Sequence, residues 1–182
     1  MQSRGTKTNK ANHMNDPIVK IEIVKYDPRW PDLYAEERAR VEAVLGDLVE
    51  SIEHIGSTSV PGLSAKPIID ILVTVVHFGP VDPYIERLGS LDYTYFSVLG
   101  NAARYSFGRD IPHTHHIHVV EHGGEGHVRP LAFRDYLRTH PDAAHQYETL
   151  KRQLATRFRD DRQAYNQAKT DFIRSIEMKA QR

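Results

Sequence analysis

The 182-residue chain has no cysteine, which excludes disulfides, thiolate metal ligands and a cysteine nucleophile. It has no net charge, with 24 Lys plus Arg against 24 Asp plus Glu, so no global basic field draws it to polynucleotide or to an anionic membrane. No apolar run approaches the roughly 20 residues that span a bilayer. The first 15 residues, MQSRGTKTNKANHMN, are polar and lack the hydrophobic segment of a secretory signal. Residues 1–16 therefore read as a disordered tail, with Met14 a second candidate start, and 17–182 as one domain with a sizeable core. The absent thiols and absent leader suit the cytoplasm. What is present is ordinary for a folded protein: 40% hydrophobic and 26% charged residues.

The periodicity along the chain predicts a mixed α+β fold. Residues 18–26 (IVKIEIVKY) alternate like a half-buried strand. From Trp30 an apolar stripe through Leu33, Tyr34, Val41, Val44, Leu45 and Leu48 predicts an amphipathic helix. Ser51–Ile55 reads as a short strand and Pro67–Val76 (PIIDILVTVV), rich in β-branched residues, as the clearest strand. A short helix is expected over Tyr84–Leu91, then strands over Tyr93–Leu99 and Arg104–Arg109 around a turn at Gly100-Asn101, and another strand over Thr114–Glu121. EHGGEGH reads as a mobile loop. Beyond it lies a helical tail: Leu131–Arg138, a helix opened by Pro141 with the stripe Ala144, Tyr147, Leu150, Leu154 and Phe158, and a last helix with Tyr165, Ala168, Phe172 and Ile176.

The stretch IGSTSVPGLSAKPIID (55–70) carries the first chemistry. Gly56 permits positive φ and close backbone approach, and the N–H groups of Ser57, Thr58 and Ser59 suit an anion-binding concavity. Asp70 then stands inside an apolar strand, where an ionised carboxylate needs a cation, a cavity or a proton. Strand alternation puts Ile69, Ile71, Val73 and Val75 on one face and Asp70 on the other. A plain turn, with Asp70 capping a loop or paired to an arginine, accounts for these residues equally well.

The segment HTHHIH (113–118) concentrates four of the 11 histidines. His116 and His118 share one strand face. If Ile117 and Val119 join the core with Ile71 and Val73, both imidazoles join Asp70 in a site for Mn²⁺, Zn²⁺ or Fe²⁺. Glu121 is the best local substitute for a missing acid if the strand ends there. The bland alternative is a set of hydrogen-bonded sheet histidines. Histidine-triad and two-histidine phosphoesterase chemistries fit poorly, because Val120 stands where a third alternating histidine belongs and no His-x-Ser/Thr motif is repeated. Lys66, Arg104 and Arg109 are candidate phosphate contacts; Arg134, Arg138 and Lys151 read first as solvated charges. No common nucleic-acid motif is present.

The string HIGSTSVPGLSAKPIIDI (54–71), together with HHIHVVE (115–121) and LAFRDYLRTHP (131–141), resembles the GrpB family, whose fold is that of the nucleotidyltransferase (polymerase β-like) superfamily. A related domain is fused behind some dephospho-coenzyme A kinases. The resemblance implies a mixed sheet with packed helices and a C-terminal helical tail, a phosphate site beside Gly56 and Ser57, and Asp70 as a metal carboxylate. Lys66 and Arg104 fall where the family pattern carries basic residues. It also implies a nucleotide or coenzyme A-like ligand and a divalent metal, Mg²⁺ or Mn²⁺, with Zn²⁺ the alternative. Leu72 departs from the active-enzyme pattern, which has a second carboxylate there. Three readings stay open: metal-dependent nucleotidyl or phosphoryl transfer, a non-catalytic binding or scaffold module, and a His/Asp metal hydrolase.

Overall fold

The computed structural model describes residues 20–96 and 103–180. The expected tail over 1–16 and the turn at Gly100-Asn101 lie outside them. Helix α1 (Trp30–Leu45) opens with Pro31 in its first turn, where a missing N–H costs nothing, and ends at Gly46 with positive φ. Strand β1 (Ser51–Ile55), a 3₁₀ turn (Ser57–Ser59) and strand β2 (Ile69–Val75) follow. Next come α2 (Asp82–Gly89), β3 (Thr94–Phe96), β4 (Arg104–Arg109) and β5 (His115–Glu121). Four helices close the chain: α3 (Glu125–Thr139), α4 (Pro141–Arg157), α5 (Arg162–Ala168) and α6 (Thr170–Ala180).

The strands form one mixed sheet in the order β1-β2-β5-β4-β3. β2 and β5 are parallel, while β1–β2, β4–β5 and β3–β4 are antiparallel. This is the mixed sheet with packed helices and a helical tail that the sequence suggests. One face is apolar. Ile69, Ile71, Val73 and Val75 of β2, Ile117 and Val119 of β5 and Phe107 of β4 pack against Trp30, Val41 and Leu45 of α1 and Tyr84 and Leu88 of α2. Burying each such side chain contributes about 1.5–3 kcal/mol. The opposite face carries a smaller cluster, Ile55, Leu72 and Val120, under Leu131 of α3.

The tail forms two more clusters. Val60 and Leu63 of the β1–β2 connection pack with Phe133, Leu137, Tyr147 and Ile176. Ile21 packs with Leu154 and Tyr165. Two expectations need correction here. Residues 18–26 do not give a strand over the described part from residue 20: only Val24 pairs, in a single bridge to Ala65, because Ile21 is buried against α4 and α5 rather than in the sheet. EHGGEGH is not loop throughout. Extended Gly124 ends the connection and Glu125 starts α3, an acid suited to a helix N-terminus.

Candidate functional site

Register brings the predicted group together. Asp70 stands opposite His116, and Leu72 opposite His118, in the parallel β2–β5 pair. Ser106 and Gly108 of β4 face the same two histidines. His116 Nδ1 donates to Asp70 Oδ1 at 3.1 Å, and His118 Nε2 lies 4.0 Å from the same oxygen. Ligating atoms of the three residues lie within 4.8 Å of one another, the one such group among the described residues. Asp70 keeps a 29% exposed side chain, against 9% for His116 and 14% for His118, so the carboxylate is the open edge of the group.

The surroundings fix the ring nitrogens. With Nδ1 donating to Asp70, His116 Nε2 accepts from His113 Nδ1 at 3.0 Å. His113 fits above β4 because residue 108 is glycine: a Cβ there would meet its ring at 2.7 Å. Ser106 Oγ holds His118 Nδ1 at 3.1 Å, which leaves Nε2 toward Asp70. Burial, then the Arg104 charge, push His118 down to about 3, so its imidazole is neutral near pH 7. Burial alone would raise the Asp70 carboxyl, but the His116 hydrogen bond and the nearby Lys66 ammonium hold it down at about 2.

Gly56 closes the site from β1. Its φ is 72°, and a Cβ built on it would fall onto the Asp70 carboxylate. The turn is anchored from below. Thr58 Oγ1 donates to Ile68 O at 3.1 Å and meets His54 Nε2 at 3.0 Å; Ser59 Oγ donates to Gly56 O at 2.6 Å. Arg134 donates to His54 O at 3.0 Å and Arg138 to Ser59 O at 2.9 Å. Thr58 is thus a buried strut of the turn, while Ser57 is half-buried and hydrogen bonded to Tyr147.

Of the predicted basic residues, Lys66 and Arg104 join the group electrostatically: Asp70 opposes the depression of both. Among the described residues Arg104 Nε is buried without a hydrogen-bond partner. Arg109 does not join. It lies five residues from Arg104 on β4, hence on the other face, where Nη1 donates to Glu37 Oε2 at 2.7 Å and Nη2 to His115 at 2.8 Å. Glu121 does not join either. It stands opposite Val75, about 16 Å along β5 from His116 at 3.3 Å per residue, and accepts from the Phe78 N–H at 3.3 Å. Leu72 is buried in an apolar cluster. The acid on its face, Glu53, is taken by Arg134 at 2.8 Å.

Sequence reasoning missed the contribution of the tail. Lys169, half-buried, and Arg162 carry charge toward Asp70 and Lys66, respectively. Lys151, expected as a solvated charge, is 2% exposed and donates to Ser64 O. A readable signal exists: Tyr147-Lys151 and Tyr165-Lys169 repeat one i, i+4 pairing, with each ammonium over its own tyrosine ring at 4.7 and 4.4 Å.

A mixed sheet with a glycine-serine turn facing an acid on the next strand is a nucleotidyltransferase-like fold. The same fold is found at TM-score 0.54 and 9% identity in a structure of the GLD-2/RNP-8 complex, over 80% of this chain and 58% of that one. The chain belongs to the GrpB family: the family model described as GrpB protein matches residues 20–179. It is 40% identical over 167 residues to YqkA of Bacillus subtilis, covering 91% of this chain and 49% of YqkA, so the chain spans about half the length of that relative. The crystal structure of the conserved protein GrpB from Enterococcus faecalis superposes at TM-score 0.80 with 38% identity, over 87% of this chain and 96% of that one. A dephospho-CoA kinase from Mycolicibacterium paratuberculosis is 26% identical over 186 residues, which cover 88% of this chain and 46% of the kinase. No helix among the described residues is long and apolar enough to cross a membrane.

Proposed function

We propose that the chain binds a nucleotide or coenzyme A-like phosphate ligand at Gly56, Ser57 and Asp70, and that it transfers a nucleotidyl or phosphoryl group with the aid of one divalent metal ion. The observation that carries this reading is the junction of Gly56 with Asp70: a residue with no side chain, at positive φ, lets the carboxylate lie directly against the glycine-serine turn, whose Ser59 N–H is taken by Gly56 O. The dephospho-CoA kinase likeness supports the coenzyme A-like alternative.

The donor set fits one metal ion. Asp70 with the Nδ1 of His116 and the Nε2 of His118 offers one oxygen and two nitrogens, which suits Mn²⁺ or Zn²⁺ better than a pair of Mg²⁺ ions that need several oxygens. Such an ion supplies Lewis-acid polarisation of a phosphoryl oxygen. The chain's own residues do the rest. Ser106 orients His118 with Nε2 toward the ion, and His113 stays paired with His116 Nε2 through a hydrogen bond that would reverse direction when Nδ1 gives up its proton to ligate. The N–H groups of Ser57 and Thr58 meet the phosphate, and Arg104 Nε, without a partner among the described residues, offsets charge that develops on it. In the transfer, an acceptor oxygen attacks phosphorus and the bridging phosphate oxygen leaves.

Incubation of the purified, untagged chain with labelled nucleoside triphosphates, coenzyme A and Mn²⁺ tests this. Label transfer or pyrophosphate release that disappears in Asp70→Asn is expected. Equal activity in Asp70→Asn would sink it. A second reading, a binding module without catalysis, is favoured by one observation: Leu72 is buried among apolar residues and Glu53 is taken by Arg134, so Asp70 is the one carboxylate in the group. It predicts ligand binding with no turnover. A hydrolase at the same side chains would leave the glycine-serine turn without a role.

A further inference from the structure

Beside the Asp70–imidazole group, unneutralised positive charge gathers where the tail reaches the start of β2. Lys66 stands on the lead-in to β2, Arg162 at the first residue of α5, and Lys169 between α5 and α6. Lys66 Nζ lies 5.4 Å and Lys169 Nζ 4.4 Å from the centroid of one buried ring, Tyr165. Among the described residues none of the three cations is in an ion pair. The acid next in sequence, Asp161, is occupied in accepting from the Ala164 N–H at 2.9 Å. Burial and then the neighbouring cation hold Lys66 at about 8 and Lys169 at about 7, with Asp70 the acid that opposes this for both.

Crowding like charges on a buried ring, with no counterion among the described residues, is unfavourable. A ligand bearing several negative charges reverses the sign of that term. The site also has a deficit to fill: with Asp70 alone and Leu72 apolar, the oxygen ligands for a second divalent ion are missing. Charge on a phosphate chain must then be met by side chains.

We propose that Lys66, Lys169 and Arg162 hold the phosphate chain of an anhydride-linked polyphosphate directly, in place of a second metal ion. Lys66 and Lys169 approach one ring from separate parts of the chain, and Arg162 stands at the opposite end of α5 from Lys169, a spread that suits a chain of phosphates rather than a single one. The inference takes the ligand's position from the nucleotide reading above. It asks nothing of the first metal. A nucleoside triphosphate and coenzyme A both carry the required anhydride, so they form two arms of the test.

The test is calorimetric titration of the full chain, in EDTA, with orthophosphate, tripolyphosphate, ATP and coenzyme A. Tripolyphosphate is expected to bind at least about ten-fold tighter than orthophosphate, and Lys169→Gln and Arg162→Gln each to weaken it about three- to ten-fold. Lys169→Arg should restore most of the loss. Arg162 is exposed, so its variant reports even if Lys169→Gln fails to fold. Asp70→Asn should bind tripolyphosphate more tightly in EDTA, because a like charge is removed. Tighter binding of ATP than of coenzyme A assigns the triphosphate; the reverse assigns the diphosphate. Binding that needs metal, that does not distinguish tripolyphosphate from orthophosphate, or that is unchanged in Arg162→Gln overturns the proposal. Mn²⁺ titration of the same protein separates the two readings. Metal binding without polyphosphate binding removes this inference and leaves the metal site, whereas the opposite result keeps this inference and removes metal-assisted transfer.

Discussion

Asp70 and His116 face each other across the parallel β2–β5 pair, with His116 Nδ1 3.1 Å from Asp70 Oδ1. That hydrogen bond is also the place where a divalent ion would displace a proton, since ligating imidazoles must be unprotonated at the ligating nitrogen. Mn²⁺ or Zn²⁺ is therefore expected to raise the thermal midpoint of the wild-type chain, less so at pH 5 than at pH 7.5. In Asp70→Asn the rise should vanish. An unchanged rise in that variant would show the ion to be bound elsewhere.

Gly56→Ala meets two obstacles, a positive φ and the Asp70 carboxylate. With ψ at −173° the backbone lies in a region essentially confined to glycine, worth about 1–3 kcal/mol, and forced repacking adds about 1–3 kcal/mol. In denaturant titrations the double variant Gly56→Ala/Asp70→Gly should recover the second part and leave the first. Strict additivity of the two substitutions would refute the contact.

Arg109 tests the opposite face. Its guanidinium and Glu37 form a buried pair at 2.7 Å, with Tyr93 Oη donating to Glu37 at 3.1 Å. Arg109→Met should cost less than the roughly 3–5 kcal/mol of a fully stranded buried carboxylate, because Arg40 still pairs with Glu37 Oε2 at 2.9 Å and Tyr93 still donates to it, while Arg109→Met/Glu37→Gln should recover most of the loss. Ligand affinity per folded molecule should not change. Burial works to raise the Glu37 carboxyl, but Arg109 outweighs it and the net shift is downward from 4.5. This pair's stabilisation is thus complete above about pH 4.5 and lost as pH falls further, a loss that Glu37→Gln should remove.

Arg104 carries a buried Nε with no hydrogen-bond partner among the described residues. Such a group is costly in the free protein and useful only once an anion arrives. Arg104→Met is expected to leave the thermal midpoint unchanged or slightly higher while it weakens phosphate-ligand binding. A clear fall in stability would mean that the guanidinium supports the fold.

Polyphosphate binding should be linked to protons. Lys169 at about 7 and Lys66 at about 8 are partly neutral at pH 8, with Asp70, Arg162, Tyr165 and Lys151, itself held at about 7 chiefly by burial, the other titratable groups around them. A polyanion raises both amines, so the complex takes up protons and affinity falls from pH 7 to pH 9. Titrations in buffers of different ionisation enthalpy measure the uptake. It should shrink in Lys169→Gln.

Strand parity explains how much of this was legible. A two-residue repeat is enough to place Ile117 and Val119 in the core and His116 and His118 beside Asp70, and the register agrees. The same arithmetic separates Arg104 from Arg109, whose odd spacing puts them on opposite faces of an unbroken strand. Glu121 failed because β5 continues to it without a bend, which leaves it far from Asp70. Residues 18–26 alternate as a strand does, yet Ile21 is buried against the tail, a contact that no local pattern encodes. Lys169 and Arg162 were hidden for the same reason. Their approach to Lys66 depends on how helices more than 90 residues later fold back over β2, and the Tyr-Lys pairs hint at cation–π contacts without naming their neighbours.

The segment between β1 and β2 is pinned from outside the sheet at both ends: Arg138 of α3 holds Ser59 O, and Lys151 of α4 holds Ser64 O. Pro61 and Gly62, between the two pins, are exposed. For anyone shortening or fusing this chain, the five strands with α1 and α2 are therefore not a minimal unit. A cut after α3 would keep the glycine-serine turn and the clamp at Ser59 but release the one at Ser64, and would strip Tyr147 and Ile176 from Val60 and Leu63. The useful boundary lies beyond α6, with any added sequence following it.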